Sequence, residues 1–510
     1  MKEHSGRIEN TIHNMYIGLF GQIITYILTF VYRTIFIKTL GADYLGIQGL
    51  FSNILSILSL AELGIGSAIT FSLYKPLANN NNEIISQLMN LYSKMYRIIG
   101  LIVAVIGLSI IPFMDNFING KQDIPYITLI YLLYLADSVS SYFFSYKRSI
   151  LVADQKGYIN TLNINIFAFV RTVIQCVLLV IYKNFILVLV IQIVFTFLSN
   201  LSISNKVNIV YPYLKNKNSN KMDPGIKLEI FKKIRAMSYH QFGSVAVLGT
   251  DNLLISFFVG IYWVGIYSNY LLIIGVIKTI LQQFSQSVLA SVGNLVSSES
   301  LDKTKTTFDF LLFINYWIYY FCSICFFTLI NPFITIWIGS EYLFDVGIVV
   351  IITINFYVAG MRQNVLTFRN ALGLFLYDRY KPFFEVVINL VVSIFLVKTL
   401  GIIGVFIGTF VSTVTTSLWV EPYVLFKYHF KIGLKQYCLK YLLYTTFTVL
   451  VAFVMRFFSK IVFDGSKYSF IVLLLACIII PNVLFCVVFS NTKEFKKAFF
   501  MAKNLFYGLK

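Results

Sequence analysis

Four basic residues interrupt long apolar stretches of this 510-residue chain, and a positive charge in such a place suggests binding chemistry. They are Arg33, Arg171, Lys278 and Arg362. A basic side chain at the middle of a bilayer costs about 2.5–3.5 kcal/mol or more, so such residues usually face a protein interior or a water-filled cavity. A cation held at that depth could bind an anionic group that passes through the membrane.

Each of these four cations also has a structural interpretation. For Arg171, contact with an anionic ligand and an interhelical ion pair with Asp137 are equally well supported. For Lys278, a charged cavity wall competes with a flexible side chain that extends toward the cytoplasm. The second interpretation is favoured for Arg362, and Arg33 fits either the outer half of a cavity or an anchor among head groups.

Three carboxylates, Glu62, Asp137 and Asp251, also lie within apolar stretches. Intramembrane acids often mark ion pathways, so one of them could bind a coupling Na⁺ or a proton. A structural pairing is favoured for Asp137, and both interpretations stay open for Glu62 and Asp251. Glu385 and Glu421 are expected to lie at the membrane interface.

The sequence offers little to an enzyme. It holds four histidines, of which only His240 falls inside an apolar span, and one histidine makes neither a metal site nor a catalytic triad. No Walker-type loop is present, which argues against ATP as the direct energy source. We therefore expect a transporter without catalytic residues, metal site or cofactor, apart from a coupling ion.

Composition places the chain in the membrane. It is 58% hydrophobic and only 12% charged, and its apolar runs are long enough to cross a bilayer as helices. We predict an all-α polytopic protein of about fourteen transmembrane helices. The predicted spans are 14–38, 45–74, 92–114, 124–146, 158–182, 185–205, 237–259, 264–296, 307–331, 346–370, 382–399, 402–426, 437–457 and 468–490.

The basic residues give the orientation of these spans. The loops between the predicted spans are numbered in chain order. Of the 41 Lys and Arg residues, 30 fall in the two termini and the even-numbered loops, and 8 fall in the odd-numbered loops. Cytoplasmic segments carry such an excess of positive charge, so both termini are predicted to be cytoplasmic. The net charge of +19 is accounted for in this way, and no nucleic acid partner is expected.

A polar interval divides the chain. Between Lys206 and Arg235 there are eight basic residues together with the Asn, Ser, Pro and Gly of a flexible linker. We predict an N-terminal lobe over 1–205, a cytosolic linker over 206–236, a second lobe over 237–430, and two additional helices with a basic tail over 431–510. Residues 41–47 and 260–266, 219 positions apart, share the pattern Gly-x-x-aromatic-x-Gly-Ile, with Gly46 and Gly265 at matching places, which suggests that the lobes are internal repeats.

Four stretches of the sequence resemble a known family. They are 44–68, which contains Glu62 in an Ala-Glu-Leu-Gly turn, 147–153, 250–270 and 369–409. In their order and spacing the chain is similar to the Wzx-type polysaccharide and O-antigen flippases of the multidrug/oligosaccharidyl-lipid/polysaccharide exporter superfamily. The resemblance implies two pseudo-symmetric six-helix lobes around a central cavity, with two extra helices at the C-terminal end.

The resemblance also implies a function. Members of the family move an oligosaccharide on a polyprenyl pyrophosphate carrier from the cytoplasmic to the outer leaflet of the bacterial inner (plasma) membrane, for capsule, O-antigen or exopolysaccharide synthesis. Its implied partners are this lipid-linked glycan, the bilayer, and a glycan polymerase with chain-length proteins. Arg171, Lys278, Arg33 and Arg362 would then neutralise the pyrophosphate.

Three alternatives remain open from the sequence. One is a pure scaffold for glycan assembly, although it would not need charges at mid-membrane. A small-molecule antiporter could share the fold, although a cavity with Arg and Lys would repel cationic drugs. A membrane glycan polymerase or ligase could share the helix number, but such an enzyme needs a large outer loop, and the predicted outer loops are short.

Overall fold

The computed structural model describes residues 2–62, 65–114, 124–215, 250–374 and 377–507, together with residues 224, 225, 227, 228, 230–232 and 234. Contacts within the chain define two compact units, Met1–Gly265 and Ile266–Lys510. The regular structure of the described residues is helical throughout, without strands, so the predicted all-α class is confirmed.

Long helices fill the first unit. They are α1 (Lys2–Leu40), α2 (Ala42–Leu58), α3 (Ile65–Ala78), α4 (Asn82–Ile110), α5 (Ile127–Phe144), α6 (Arg148–Ala153), α7 (Gly157–Tyr182) and α8 (Phe185–Val210). Short 3₁₀ segments at Ser59–Glu62, Ser145–Lys147 and Pro212–Lys215 adjoin α2, α5 and α8. Residues 250–258 are also helical, and α9 (Ile261–Ser298) begins inside this unit.

The second unit continues with α9 and is built in the same way. Its further helices are α10 (Leu301–Trp337), α11 (Val346–Met361), α12 (Gln363–Ala371), α13 (Lys381–Leu400), α14 (Ile402–Thr415), α15 (Ser417–Leu425), α16 (Lys435–Val462), α17 (Lys467–Phe489) and α18 (Lys493–Tyr507). A π-helical turn, Phe426–Phe430, extends α15.

Eleven helical segments of the described residues are long and apolar enough to cross a membrane. A twelfth forms if α5 and the bent segment Ser145–Ala153 make one span. The predicted second span does not count as a continuous helix because it breaks between α2 and α3. The predicted seventh span lies mostly outside the described residues. The prediction of about fourteen spans is consistent with this arrangement.

The predicted linker over 206–236 lies partly outside the described residues. Its first positions, through Val210, belong to α8, and the 3₁₀ turn Pro212–Lys215 follows. The assignment of a flexible cytosolic linker here stays a prediction, as do the domain limits on either side of it.

Helix α7 is the element that positions Arg171, and it packs against α1 and α8 within the first unit. Helix α5 packs against α4 and α8, so the four helices α1, α5, α7 and α8 form one neighbourhood. The break after α2 places Glu62 at the end of a 3₁₀ turn, beside α4. These contacts bring polar side chains from different spans together.

Aromatic rings bind the last two transmembrane helices to the rest of the second unit. Tyr316 on α10 stacks on Tyr444 of α16, with centroids 3.9 Å apart, and Trp317 stacks on Phe485 of α17 at 4.8 Å. The Trp317 Nε1 also donates to Asn482 at 3.0 Å. Buried aromatic pairs contribute beyond their area, so α16 and α17 are part of the hydrophobic core of this unit.

Glycines allow α13 and α14 to pack closely. Gly401 joins the two helices with a φ of 61°, in the left-handed region that glycine adopts without strain. A Cβ at Gly404 would lie 2.4 Å from the Leu396 carbonyl carbon, and one at Gly408 would lie 2.0 Å from the Ser393 Oγ. Small residues at a helix crossing are a common packing device within membranes.

Candidate functional site

Arg171 lies near the centre of α7 and is not neutralised by a neighbouring acid. Its Nε is buried and has no hydrogen-bond partner. No carboxylate among the described residues lies within ion-pair distance of its guanidinium. A charged group with this little compensation at membrane depth is costly, which is the behaviour expected of a residue kept for function.

A second arginine lies in the same neighbourhood. The Tyr32 hydroxyl on α1 interacts electrostatically with both Arg33 and Arg171. The Tyr134 hydroxyl on α5 interacts with Arg33, Tyr32 and Asp137. The structure therefore brings two of the predicted cations, Arg33 and Arg171, into one cluster that also contains Asp137.

Asp137 bonds to an amide and not to Arg171. Gln192 on α8 donates its Nε2 to Asp137 Oδ2 at 2.7 Å, and Asp137 Oδ1 is buried without a partner. The ion pair considered as the alternative role of Arg171 is absent from the described residues. This geometry leaves the positive charge of Arg171 available to an anion.

Lys278 lies near the middle of α9, in the second unit, and its side chain is exposed. An exposed ammonium at that place along a transmembrane helix suits either a water-filled cavity or a side chain that extends toward the interface. Its assignment to the substrate stays a prediction.

Arg362 lies in the turn between α11 and α12 and forms a bidentate pair with Glu421. Its Nε and Nη2 donate to the two carboxylate oxygens at 3.0 and 2.7 Å. Glu421 on α15 is fully buried, and Lys381 at the start of α13 bonds the same carboxylate. Helix packing therefore encloses this acid between two cations, and its expected place at the membrane interface stays a prediction.

Three further charged side chains complete this network. Arg369 on α12 pairs with Asp378 at 3.0 Å and lies 4.0 Å from Glu421. Glu385 on α13 lies 3.8 Å from Arg362. Burial raises the pKa of Asp378, which lies outside the spans, although the charge of Arg369 opposes this shift. Three cations and three acids offset one another here, so Arg362 carries less uncompensated charge than Arg171.

Glu62 ends a chain of hydroxyl groups. Ser149 donates to the Tyr92 hydroxyl at 3.2 Å, Tyr92 donates to the Tyr96 hydroxyl at 3.3 Å, and Tyr96 donates to Glu62 Oε1. Gly66 leaves room for this series of hydroxyl groups, since a Cβ there would lie 3.1 Å from the Tyr92 hydroxyl oxygen. Within the described part of the chain no cation pairs with Glu62, so its carboxyl group is free to take a proton or a cation.

Asp251 lies in the helical segment 250–258, and its side chain is half-buried. It interacts with other groups of the chain, and its role stays open between structural bonding and ion coupling.

Sequence reasoning missed the partners within the second unit. Glu421 and Lys381 were not considered as partners of Arg362, because they lie 59 and 19 positions away in sequence. A signal was nevertheless present: each of these charges falls within a few residues of the end of an apolar span, where neighbouring helices can bring them together.

Comparison of this fold with solved structures finds several that share it. A search with protein-family models and a search of curated protein sequences each found no match. Among solved structures, the lipid II flippase MurJ in an inward closed conformation is 17% identical and has a TM-score of 0.65. That match covers 94% of this chain and 99% of the MurJ chain.

Two MATE transporters also match, one of them described as a multidrug resistance transporter. An inward-facing member of the MOP superfamily is 16% identical with a TM-score of 0.55, over 78% of this chain and 94% of that one. The Vibrio cholerae transporter VcmN, in a mutant form, is 15% identical with a TM-score of 0.54, over 85% and 99%. The chain therefore shares its fold with these solved structures, which confirms the fold class predicted from the sequence.

Proposed function

We propose that this protein is a flippase for a polyprenyl-pyrophosphate-linked oligosaccharide, which it moves from the cytoplasmic to the outer leaflet by alternating access. The observation that carries the proposal is the uncompensated Arg171 at the centre of α7, with Arg33 nearby around Tyr32. A pyrophosphate carries negative charge through the membrane and needs cations at that depth. Hydrogen bonds between charged partners contribute about 1.5–3 kcal/mol each.

The similarity to a lipid II flippase supports this proposal at the level of the fold. The chain and that flippase align over nearly their whole lengths. Capsule, O-antigen or exopolysaccharide synthesis in the bacterial inner membrane is the setting that the sequence resemblance implies. A glycan polymerase with its chain-length proteins would then use the product.

Transport in purified proteoliposomes tests the proposal. The vesicles would contain a polyprenyl-pyrophosphate oligosaccharide, and appearance of the glycan in the other leaflet would be measured with an enzyme or lectin that reaches only that side. Arg171→Gln should lower the rate at least about tenfold, because one lost charge-assisted contact of about 1.4 kcal/mol already costs that factor. Arg171→Lys should retain part of the rate.

Lys183→Gln is the matched control, since it removes the same charge at the exposed C-terminal end of the same helix. It should transport like the wild type. If Arg171→Gln and Lys278→Ala both leave transport and surface glycan unchanged, the assignment of these cations to the substrate is wrong.

The alternatives give different results when the gene is deleted in its native strain. Complete lipid-linked repeat units should accumulate on the inner leaflet if the protein is the flippase. Single units exposed on the outer face would indicate a polymerase. Normal glycan with altered drug tolerance would indicate a drug antiporter; one of the solved structures that share this fold is a multidrug resistance transporter.

A further inference from the structure

Two adjacent basic residues, Lys147 and Arg148, lie where a 3₁₀ turn gives way to α6. Both side chains are partly exposed. The Lys147 ammonium donates to Ser204 Oγ at 2.8 Å and to Asn208 Oδ1 at 2.9 Å. Both acceptors lie on α8, so this lysine is fixed against one face of that helix.

The Arg148 guanidinium is held in a similar way one turn earlier on α8. Its Nη2 donates to Ser199 Oγ and to Asn200 Oδ1, each at 3.0 Å. Its Nη1 donates to Asn160 Oδ1 of α7 at 2.6 Å. The side chain is thus oriented by two helices, and Ser199 and Asn200 are themselves buried.

All of these partners are neutral amides or hydroxyls. Among the residues that the structure describes, no carboxylate lies within ion-pair distance of Lys147 or Arg148. The acid nearest in sequence, Asp154, is engaged by Lys156 at 2.7 Å and by the Tyr211 hydroxyl at 2.6 Å. The pair therefore keeps its full positive charge in a partly buried place.

The anchoring residues hold the two charges beside the same face of α8. Asn200, Ser204 and Asn208 follow one another at intervals of four residues, which places them on one face of that helix about 6 Å apart from turn to turn. Two adjacent like charges repel, and an anion between them would offset both. Each side chain also keeps at least one N–H donor that the bonds above do not use, because a guanidinium and an ammonium have more donors than these bonds occupy.

We propose that Lys147 and Arg148 form a binding site for a phosphoryl group, with Asn160, Asn200 and Asn208 as the neutral side chains that orient them. A phosphate offers several oxygens to a guanidinium and an ammonium at once, and Arg is suited to bind such oxygens in a planar arrangement. The group could belong to the phosphodiester of an anionic phospholipid or to a soluble pyrophosphate. The site concerns binding alone and does not depend on the flippase function.

The test uses the purified full-length protein in detergent with two probes. Native mass spectrometry would measure retention of added phosphatidylglycerol against phosphatidylcholine. The shift of the thermal midpoint would measure binding of sodium pyrophosphate against sodium chloride at equal ionic strength. Preferential retention of phosphatidylglycerol identifies a lipid phosphodiester as the source, and stabilisation by pyrophosphate identifies the soluble anion; either result supports the site.

Asn200→Asp is the decisive variant. It keeps the shape of the side chain and supplies Arg148 with an internal acid, so it should fold while it weakens binding of the probe at least about tenfold, a change worth about 1.4 kcal/mol. Arg148→Gln should have the same effect, and Lys183→Gln, which removes an equal charge elsewhere, should bind like the wild type. If neither probe binds, or if Asn200→Asp binds as well as the wild type, the proposal is overturned.

Discussion

Gly46 and Gly265 take part in a reciprocal backbone contact. A Cβ at Gly46 would lie 2.0 Å from the carbonyl oxygen of Ile261, and a Cβ at Gly265 would lie 2.1 Å from the carbonyl oxygen of Ala42. In each segment the glycine lies four positions after the residue that the other glycine approaches: Gly46 after Ala42, and Gly265 after Ile261. A contact that is unchanged when the two segments are exchanged is the mark of a two-fold relation.

The turns that precede these contacts agree with this relation. Gly41 before α2 and Gly260 before α9 both have a positive φ, 87° and 128°. The residues that suggested an internal repeat in the sequence thus have matching conformations and matching contacts. The repeat is built on glycine because only glycine allows both the turn and the close approach of the two backbones.

Replacing either of these two glycines with a residue that has a side chain should destabilise the protein. Gly46→Ala and Gly265→Ala each place a Cβ against a backbone carbonyl that cannot move aside, and overpacking of this kind costs about 1–3 kcal/mol. The thermal midpoint of the purified protein in detergent measures the effect. Gly275→Ala on α9, where a Cβ meets nothing within 4 Å, is the control and should be neutral. Equal midpoints for all three variants would contradict the close contact.

Removal of the buried acid in the second unit should be severe. Glu421→Gln leaves the Arg362 and Lys381 cations without their shared carboxylate, and breaking one side of a buried ion pair costs about 3–5 kcal/mol. The free energy of unfolding, from denaturant titration in detergent, measures this loss.

The control for that variant is Glu385→Gln, which removes the same charge from the same network. The nearest partner of Glu385 is the neutral Ser417 hydroxyl at 2.8 Å, and its cations lie farther away, at 3.8 and 3.9 Å. Its loss should therefore be clearly smaller. A loss as large as that of Glu421→Gln would show that the bidentate pair is not the centre of the network.

Glu62 should decide the coupling of transport to an ion gradient. We propose that its carboxyl group takes the coupling proton, since the hydroxyls of Tyr92, Tyr96 and Tyr142 interact with it and no described cation pairs with it. In proteoliposomes, an imposed pH gradient should change the wild-type transport rate and leave that of Glu62→Gln unaffected. Tyr96→Phe keeps the acid and should keep the response.

The same vesicles distinguish the two ions. A response of the wild type to a Na⁺ gradient and not to a pH gradient, lost in Glu62→Gln, would make Na⁺ the coupling ion at this residue. A Glu62→Gln protein that responds to either gradient as the wild type does would exclude Glu62 as the ion site.

The C-terminal helix α18 should detach at low pH. Burial acts to raise the pKa of Glu494, but the hydrogen bond from Lys440, at 3.0 Å, lowers the pKa below its ordinary value overall. A lowered pKa in the folded state stabilises the protein above the unfolded-state value of about 4.3 and loses that contribution as the pH falls through the folded-state pKa. The pair is partly exposed, so its contribution is at most about 1 kcal/mol.

Distances between spin labels on α16 and α18 would follow this change. The distribution should broaden as the pH falls below about 4. Glu494→Gln should show the broad distribution already at neutral pH, with little further change on acidification. A narrow distribution in that variant at every pH would mean that apolar contacts, such as Phe495 against Trp317, hold the helix by themselves.

Most of the spans could be predicted from the sequence because crossing a bilayer is a local requirement. A helix needs about twenty apolar residues in succession, wherever the rest of the chain lies. The break at Glu62 was less predictable, since the apolar run passes through it and only the contact with α4 shows how the acid is accommodated. Arg171 could be identified as a costly residue for the same local reason.

What the sequence by itself determined is therefore the class of protein, its helices, and the list of charges that lie at membrane depth. Only the tertiary structure decided which of those charges are compensated. Arg362 and Arg171 look alike in sequence, yet Arg362 pairs with Glu421 across a helix contact. Arg171 interacts with Tyr32, and Asp137, the acid considered as its partner, is bonded to Gln192 instead. Whether a charge is paired depends on the rotation and packing of helices that are distant along the chain. The sequence of a single apolar stretch does not show which helices pack against it.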